Sequence, residues 1–174
     1  DFIFNSLVLG VLGSALIPVL TSAKNKTDHD KIVANVTFVL TGVLILLSIL
    51  AWVFAPEIIG LVTTGFTQER FELTVSMTRV MLLSVIIFGF SNVLSSVLQA
   101  QKIFTSVALA SVLYNFGIVI GIVFAYKYNP LILAWGVVVG ALFHLLIQIP
   151  NFYKLKISWR EFYKLSTESI LVFK

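Results

Sequence analysis

Five apolar runs, each long enough to cross a bilayer, constrain this chain more than any other feature. They cover Phe2–Leu20, Ile32–Phe54, Leu73–Leu98, Phe104–Tyr126 and Leu131–Ile149. Their lengths run from 19 to 26 residues, and a helix needs about 20 residues to span a hydrocarbon core about 30 Å thick. Transmembrane β-strands are excluded, because they need runs of about 10 residues with alternating polarity. All four prolines sit at or near the ends of runs, where a missing N–H costs least. Composition agrees with the runs. The chain is 59% hydrophobic and 11% charged, against about 45–50% and about 25% in a soluble domain. That balance excludes a disordered chain, a nucleic-acid-binding domain and an ordinary cytosolic enzyme. The chain has no cysteine, so disulfides, thiolate chemistry and cysteine metal sites are excluded as well. The expected fold is all-α, a polytopic transmembrane helix bundle over residues 1–150.

The basic residues give the bundle a direction. The side that holds the first loop carries Lys24, Lys26, Lys31, Lys102, Lys154, Lys156, Arg160, Lys164 and Lys174. The other side carries only Arg70 and Lys127, and Arg79 lies inside the third run. A nine-to-two split assigns the first loop and the tail to the cytoplasm by the positive-inside rule. The start of the chain then lies outside. No charged segment precedes its first apolar run, so a signal peptide is a poor reading. The expectation is a piece of a longer polytopic protein with a span before it. The net charge of +4 is thus a topology signal and not a nucleic-acid footprint.

Local patterns fill in the bundle. Ile58–Phe66 is apolar but too short to span. It either extends the second helix or forms a short helix at the surface. Gly117 with Gly121, and Gly136 with Gly140, are two GxxxG pairs. Small residues four apart let helix backbones approach where lipid offers no hydrophobic drive for association, so they point to a packed bundle. In the tail, Ser158 and Glu161 have capping-box spacing. Trp159, Phe162 and Tyr163 share one helical face, so residues 151–174 read as a cytoplasmic amphipathic segment leading to a further span. A plain loop with aromatic anchors is the alternative.

Signals for catalysis are nearly absent. No nucleophile elbow, zinc-protease helix, phosphate loop or paired carboxylate is present. No cofactor or metal is implied. His29 reads as a solvated loop residue. His144 lies within the fifth run, where a helix–helix hydrogen bond or an interface-facing side chain is the ordinary reading of a lone histidine. Arg79 is the sharpest single feature. A charge at that depth must snorkel, pair or line a wet cavity. Glu57, Glu69 and Glu72 are its candidate partners. The third run also carries Ser84, Ser91, Asn92 and Ser95 on one broad face, as a hydrated cavity wall would need. Interhelical hydrogen bonding is the plainer reading, and it extends to Asn115 and Gln148.

Several stretches together resemble the MurJ/MviN lipid II flippase family, within the multidrug/oligosaccharidyl-lipid/polysaccharide exporter superfamily. Ala15-Leu16-Ile17-Pro18-Val19-Leu20 is similar to the end of that family's second helix. Ala55-Pro56, followed by Thr64-Gly65-Phe66, is similar to its outer segment after the third helix. Arg79 falls where the family commonly has a basic residue, and Asn115 falls at its fifth-helix Asn. Leu133-Ala134-Trp135-Gly136 through Gln148-Ile149-Pro150 is similar to its sixth helix. The resemblance implies five spans, the second to the sixth helix, of a larger transporter. It implies a bacterial cytoplasmic membrane location and the flipping of the undecaprenyl-pyrophosphate-linked peptidoglycan precursor from inner to outer leaflet. Alternating access about a cationic cavity would drive the exchange. The expected partners are the lipid-linked substrate, membrane lipids and the remaining helices, with no nucleic acid. Arg79, Asn92, Asn115 and Asn5 are the candidate substrate-binding residues.

One departure stands out. The family's basic pair near the start of its second helix aligns with Phe4 and Asn5, and its Glu aligns with Leu9. Two further readings therefore stand beside the first: a flippase for another lipid-linked polysaccharide, and a membrane scaffold that moves nothing. No Asp or Glu lies deep in any run, which weighs against export of cationic drugs.

Overall fold

The computed structural model describes residues 16–23 and 25–157. The beginning of the first run, Asn5 and the amphipathic tail from residue 158 onward lie outside the described residues. Within them the chain is helical, with no strand. The helices are α1 (Ile17–Ser22), α2 (Lys26–Val53), α3 (Ala55–Val62), α4 (Gln68–Ala100), α5 (Thr105–Lys127), α6 (Leu131–Leu146) and α7 (Ile149–Lys154). Four helical stretches among the described residues are long and apolar enough to cross a membrane: α2, α4, α5, and α6 continued by α7.

The helix ends follow from local chemistry. Asn25 caps α2, its side-chain oxygen accepting from the Asp28 N–H at 2.9 Å, which satisfies one of the first-turn donors. Phe54 ends α2, and Pro56 sits in the first turn of α3, where its missing N–H is no loss. The segment after the second run is thus a short helix of its own. Gly65 turns at φ +91°, a conformation that excludes most side chains. The chain then enters α4, whose 33 residues rise about 50 Å. α4 stops on a Schellman turn. Ile103 N donates to Leu98 O at 2.8 Å and Lys102 N to Gln99 O at 2.9 Å. Lys102, at φ 61°, takes the left-handed place that glycine normally fills. At the other end of α5, Asn129 Oδ1 accepts from Leu131 N at 2.8 Å and starts α6.

α4 is the axis of the assembly. It packs against α1, α2, α3, α6 and α7, while α5 packs mainly on α6. The consecutive helices α4 and α5 barely meet, and the splay between them is what opens a cleft. α5 and α6 join through their four glycines. A Cβ on Gly121 would stand 2.6 Å from the Gly136 Cα, and one on Gly140 would stand 2.5 Å from the Tyr114 carbonyl oxygen. The two GxxxG pairs found in the sequence are therefore each other's partners. The buried apolar cluster lies where α1, the start of α2 and the last turns of α4 converge, around Leu16, Leu20, Ile32, Val36, Val93 and Val97. Phe152 and Leu155 close it from the α7 end. At this same end His29 Nε2 meets the Gln101 side-chain amide at 3.3 Å, so the first turn of α2 and the 101–104 loop lie together. Elsewhere large apolar side chains face outward, including Leu46, Leu47 and Ile49 on α2 and Val112, Phe116 and Val123 on α5. These are surfaces that lipid would cover.

Candidate functional site

A buried polar knot ties α4 to α6. Gln148 is wholly buried, Ser91 likewise, and His144 is 7% exposed. Ser95 Oγ donates to Gln148 Oε1 at 2.8 Å. That leaves the Gln148 amide nitrogen as donor, to Ser91 Oγ at 2.9 Å and to the His144 carbonyl oxygen at 2.8 Å. Ser91 Oγ and His144 Nδ1 are 2.7 Å apart. We assign the Ser91 proton to His144 Nδ1, because the Gln148 amide nitrogen, which can only donate, also faces that atom. The histidine then carries its proton on Nε2. The Gln148 amide also faces Nδ1 at 3.2 Å, which is favourable only if Nδ1 is an acceptor.

The knot explains where α6 ends. Gln148 N turns to Leu145 O at 3.1 Å instead of to His144 O. The abandoned His144 carbonyl takes the Gln148 side chain in its place. Pro150, two residues on, lacks an N–H and sits in the first turn of α7. A glutamine two residues before a proline thus ends the helix while giving the His144 carbonyl a side-chain donor.

Above the knot lies a cleft of about 580 Å³, walled by α4 and α5 and floored by α6. Thr78, Ser84, Phe88, Asn92, Ser95 and Gln99 line it from α4. These positions recur at helical spacing, so one face of α4 forms the wall. Ser111 and Tyr114 line it from α5, and Val137 and His144 from α6. No Asp, Glu, Lys or Arg is among the lining residues. Phe88 is the pivot of an aromatic corner. Its ring meets Tyr114 edge-on at 4.7 Å and the His144 ring at 5.1 Å.

Of the residues expected from the sequence to bind substrate, Asn92 lines this cleft and is 4% exposed. Arg79 does not line it. Its Nε donates to the Trp52 carbonyl oxygen at 3.2 Å, and its guanidinium lies 4.6 Å from the centre of the Trp52 ring. The arginine therefore clamps α4 to α2, and none of Glu57, Glu69 and Glu72 holds it. Glu72 instead accepts from the Gln68 amide at 2.7 Å. Asn115 lies on an exposed face of α5 and donates back to Ser111 O at 2.8 Å. Asn5 is outside the described residues. The polar face read from Ser84, Ser91, Asn92 and Ser95 divides in two. Ser84, Asn92 and Ser95 reach the cleft, and Ser91 turns beneath it to His144. The expected helix–helix hydrogen bond of His144 is present. The joining of His144 to Gln148 had a sequence signal in the four-residue spacing ahead of Pro150. Among the described residues no three His, Cys, Asp or Glu side chains are grouped closely enough to hold a metal ion.

An all-α bundle of long apolar helices with a polar cleft inside it is a membrane protein of the polytopic class. The chain belongs to the lipid II flippase MurJ family, whose model matches residues 1–174. It is 31% identical over 153 residues to the lipid II flippase MurJ of Burkholderia cenocepacia, covering 83% of this chain and 30% of that protein. It is 29% identical over 154 residues to the probable lipid II flippase MurJ of Buchnera aphidicola subsp. Acyrthosiphon pisum, covering 84% and 30%. A probable lipid II flippase MurJ of Borreliella burgdorferi is 26% identical over 158 residues. The chain spans about 30% of the length of the curated relatives it matches.

Proposed function

We propose that this chain is part of a transporter that moves the undecaprenyl-pyrophosphate-linked peptidoglycan precursor from the inner to the outer leaflet of the bacterial cytoplasmic membrane. The observation that carries the reading is the family match across all of residues 1–174. The reading makes the protein a transporter and not an enzyme. Its partners are then the lipid-linked substrate, the surrounding lipids and the helices beyond this segment. The segment supplies the second to sixth helices, with the 24–31 loop and the residues after 150 on the cytoplasmic side. Movement follows alternating access, in which one rigid group of helices rocks against another. The close glycine seam between α5 and α6 supports this, because it makes those two helices one body.

Arg79, Asn92, Asn115 and Asn5 are the residues of this segment assigned to the substrate path. Asn92 is the best supported of them, being buried on the cleft wall. A flippase for another lipid-linked polysaccharide is the second reading. It is favoured by Phe4 and Asn5, which stand where the family's basic pair aligns. The test is depletion of the intact protein in cells, with lipid II on the outer leaflet read by an impermeant modifying enzyme. Loss of outer-leaflet precursor is the expected result. An unchanged level refutes the lipid II reading.

A further inference from the structure

The cleft contains polar groups that the fold leaves unused. The Asn92 side-chain amide is on a residue only 4% exposed and makes no hydrogen bond to the described residues. His144 is 7% exposed. Its Nδ1 is taken by Ser91, so its Nε2–H is a donor without a partner among the described residues. Neither side chain is among those whose polar atoms are buried without a partner, so both groups open into the cleft, where a ligand can meet them. Gln99 and Ser111 add an amide and a hydroxyl to the same space. Neutral donors and acceptors thus face one another across a cleft whose remaining wall is aromatic, formed by Phe88 and Tyr114.

The chemistry of the lining selects its ligand. A pyrophosphate would enter a partly desolvated space with no counter-charge, which is strongly unfavourable. A purely apolar tail would leave Asn92 and His144 unsatisfied. A neutral group rich in hydroxyls and amides, with flat C–H faces, satisfies both walls at once. We propose that the cleft between α4, α5 and α6 is a subsite for an uncharged N-acetylated sugar, with Asn92 and His144 Nε2 as its hydrogen-bonding anchors and Phe88 and Tyr114 as its stacking wall. The volume of about 580 Å³ lies within the range of small-molecule sites, about 300–1,000 Å³. As a site for the head of a lipid-linked saccharide, the cleft rests on the transport reading. As a sugar site, it stands by itself.

The test is a binding measurement on the purified intact protein in detergent, with N,N′-diacetylchitobiose and inorganic pyrophosphate as probes. The disaccharide is expected to raise the thermal midpoint with increasing concentration, as a ligand of the folded state must. Pyrophosphate should leave the cleft-dependent part of that shift unaltered. Asn92→Leu and His144→Asn are each expected to weaken the disaccharide response by about tenfold in apparent affinity, the loss of one well-made hydrogen bond. Asn at 144 keeps an acceptor for Ser91 but removes the cleft-facing donor. His144→Gln, which extends an amide toward the Nε2 position, should restore much of the response. Ser111→Leu starts from an exposed α5 position and fills the cleft without touching the knot. It should abolish the shift while leaving the unliganded midpoint near that of the parent.

No shift with the disaccharide, or a shift that Ser111→Leu leaves intact, overturns the proposal. So does an inaccessible cleft, read as failure of a soluble maleimide to label Ser111→Cys in the intact protein. The readout does not use transport. A protein that binds the disaccharide through Asn92, yet leaves the leaflet distribution of precursor unchanged on depletion, keeps the sugar site and loses the transport reading.

Discussion

Adding one methyl group to the seam between α5 and α6 should separate the two helices. In Gly121→Ala the new Cβ would stand 2.6 Å from the Gly136 Cα, 3.3 Å from the Gly136 nitrogen and 3.4 Å from the Ile132 carbonyl oxygen. Carbon atoms rest at about 3.5–4.0 Å. The obstructing atoms are helix backbone, which cannot rotate away as a side chain can. The helices must therefore part by about 1 Å, and a gap of that size forfeits about a quarter to a half of each dispersion contact along the seam. Overpacking of this kind costs about 1–3 kcal/mol. In a bilayer, where packing is the main drive for association, no hydrophobic gain offsets it. Gly136→Ala meets the Gly121 Cα from the other side, at 2.5 Å. The two substitutions share one gap, so the double variant should cost clearly less than the sum of the singles. Gly42 on α2 is the control, because a Cβ there meets nothing within 4 Å. Gly42→Ala should be neutral or slightly stabilising, by up to about 1 kcal/mol. The assay is thermal unfolding of the intact protein in one detergent. If Gly121→Ala melts no lower than Gly42→Ala, or if the two seam substitutions simply add, the interlocked seam is wrong.

Four further expectations follow from individual side chains. Gln148→Leu removes the donor to the His144 carbonyl and the acceptor for Ser95. It should lower stability by about 1–3 kcal/mol in the same melt, and an unchanged midpoint would mean the knot carries no weight. Trp52→Leu and Arg79→Ala should couple by about 0.5–1 kcal/mol in a double-mutant cycle, the usual worth of an exposed cation–π pair. In a transport assay Arg79→Ala should impair more than Arg79→Lys, and near-normal activity in both would reduce Arg79 to a clamp between α2 and α4. Asn25→Ala should cost about 1 kcal/mol through loss of the α2 cap while Asn25→Asp stays close to the parent. Faster hydrogen exchange confined to the Lys26–Asp30 turn is the expected signature.

Much of the bundle is legible in the chain because a bilayer leaves few options. A run of about 20 apolar residues in lipid must satisfy its own backbone, and only a helix does so within one segment. Hence the four long helices described here match apolar runs in the sequence, and the glycine pairs announce a close crossing. The helix ends were less legible. α4 begins at Gln68 and not Leu73, because polar residues of the first turn continue the helix into the interface. The fifth run breaks at Gln148, where a side chain takes over a backbone partner.

The cleft was only half readable. A polar face on α4 was visible from the spacing of Ser84, Ser91, Asn92 and Ser95, since 3.6-residue periodicity is a property of one helix alone. Which neighbour that face would meet is not encoded in any single helix. α5 follows α4 in the chain but packs on α6, so the face lines a cleft at Ser84, Asn92 and Ser95 and hydrogen-bonds to His144 and Gln148 through Ser91 and Ser95. Arg79 shows the same division. Its depth and charge were plain from the sequence, and they demanded either water or a partner. That the partner is Trp52 on α2, and not an acidic side chain or the cleft, depended on how two helices cross. Lipid and water sort residues one helix at a time, whereas partners are chosen by packing between helices.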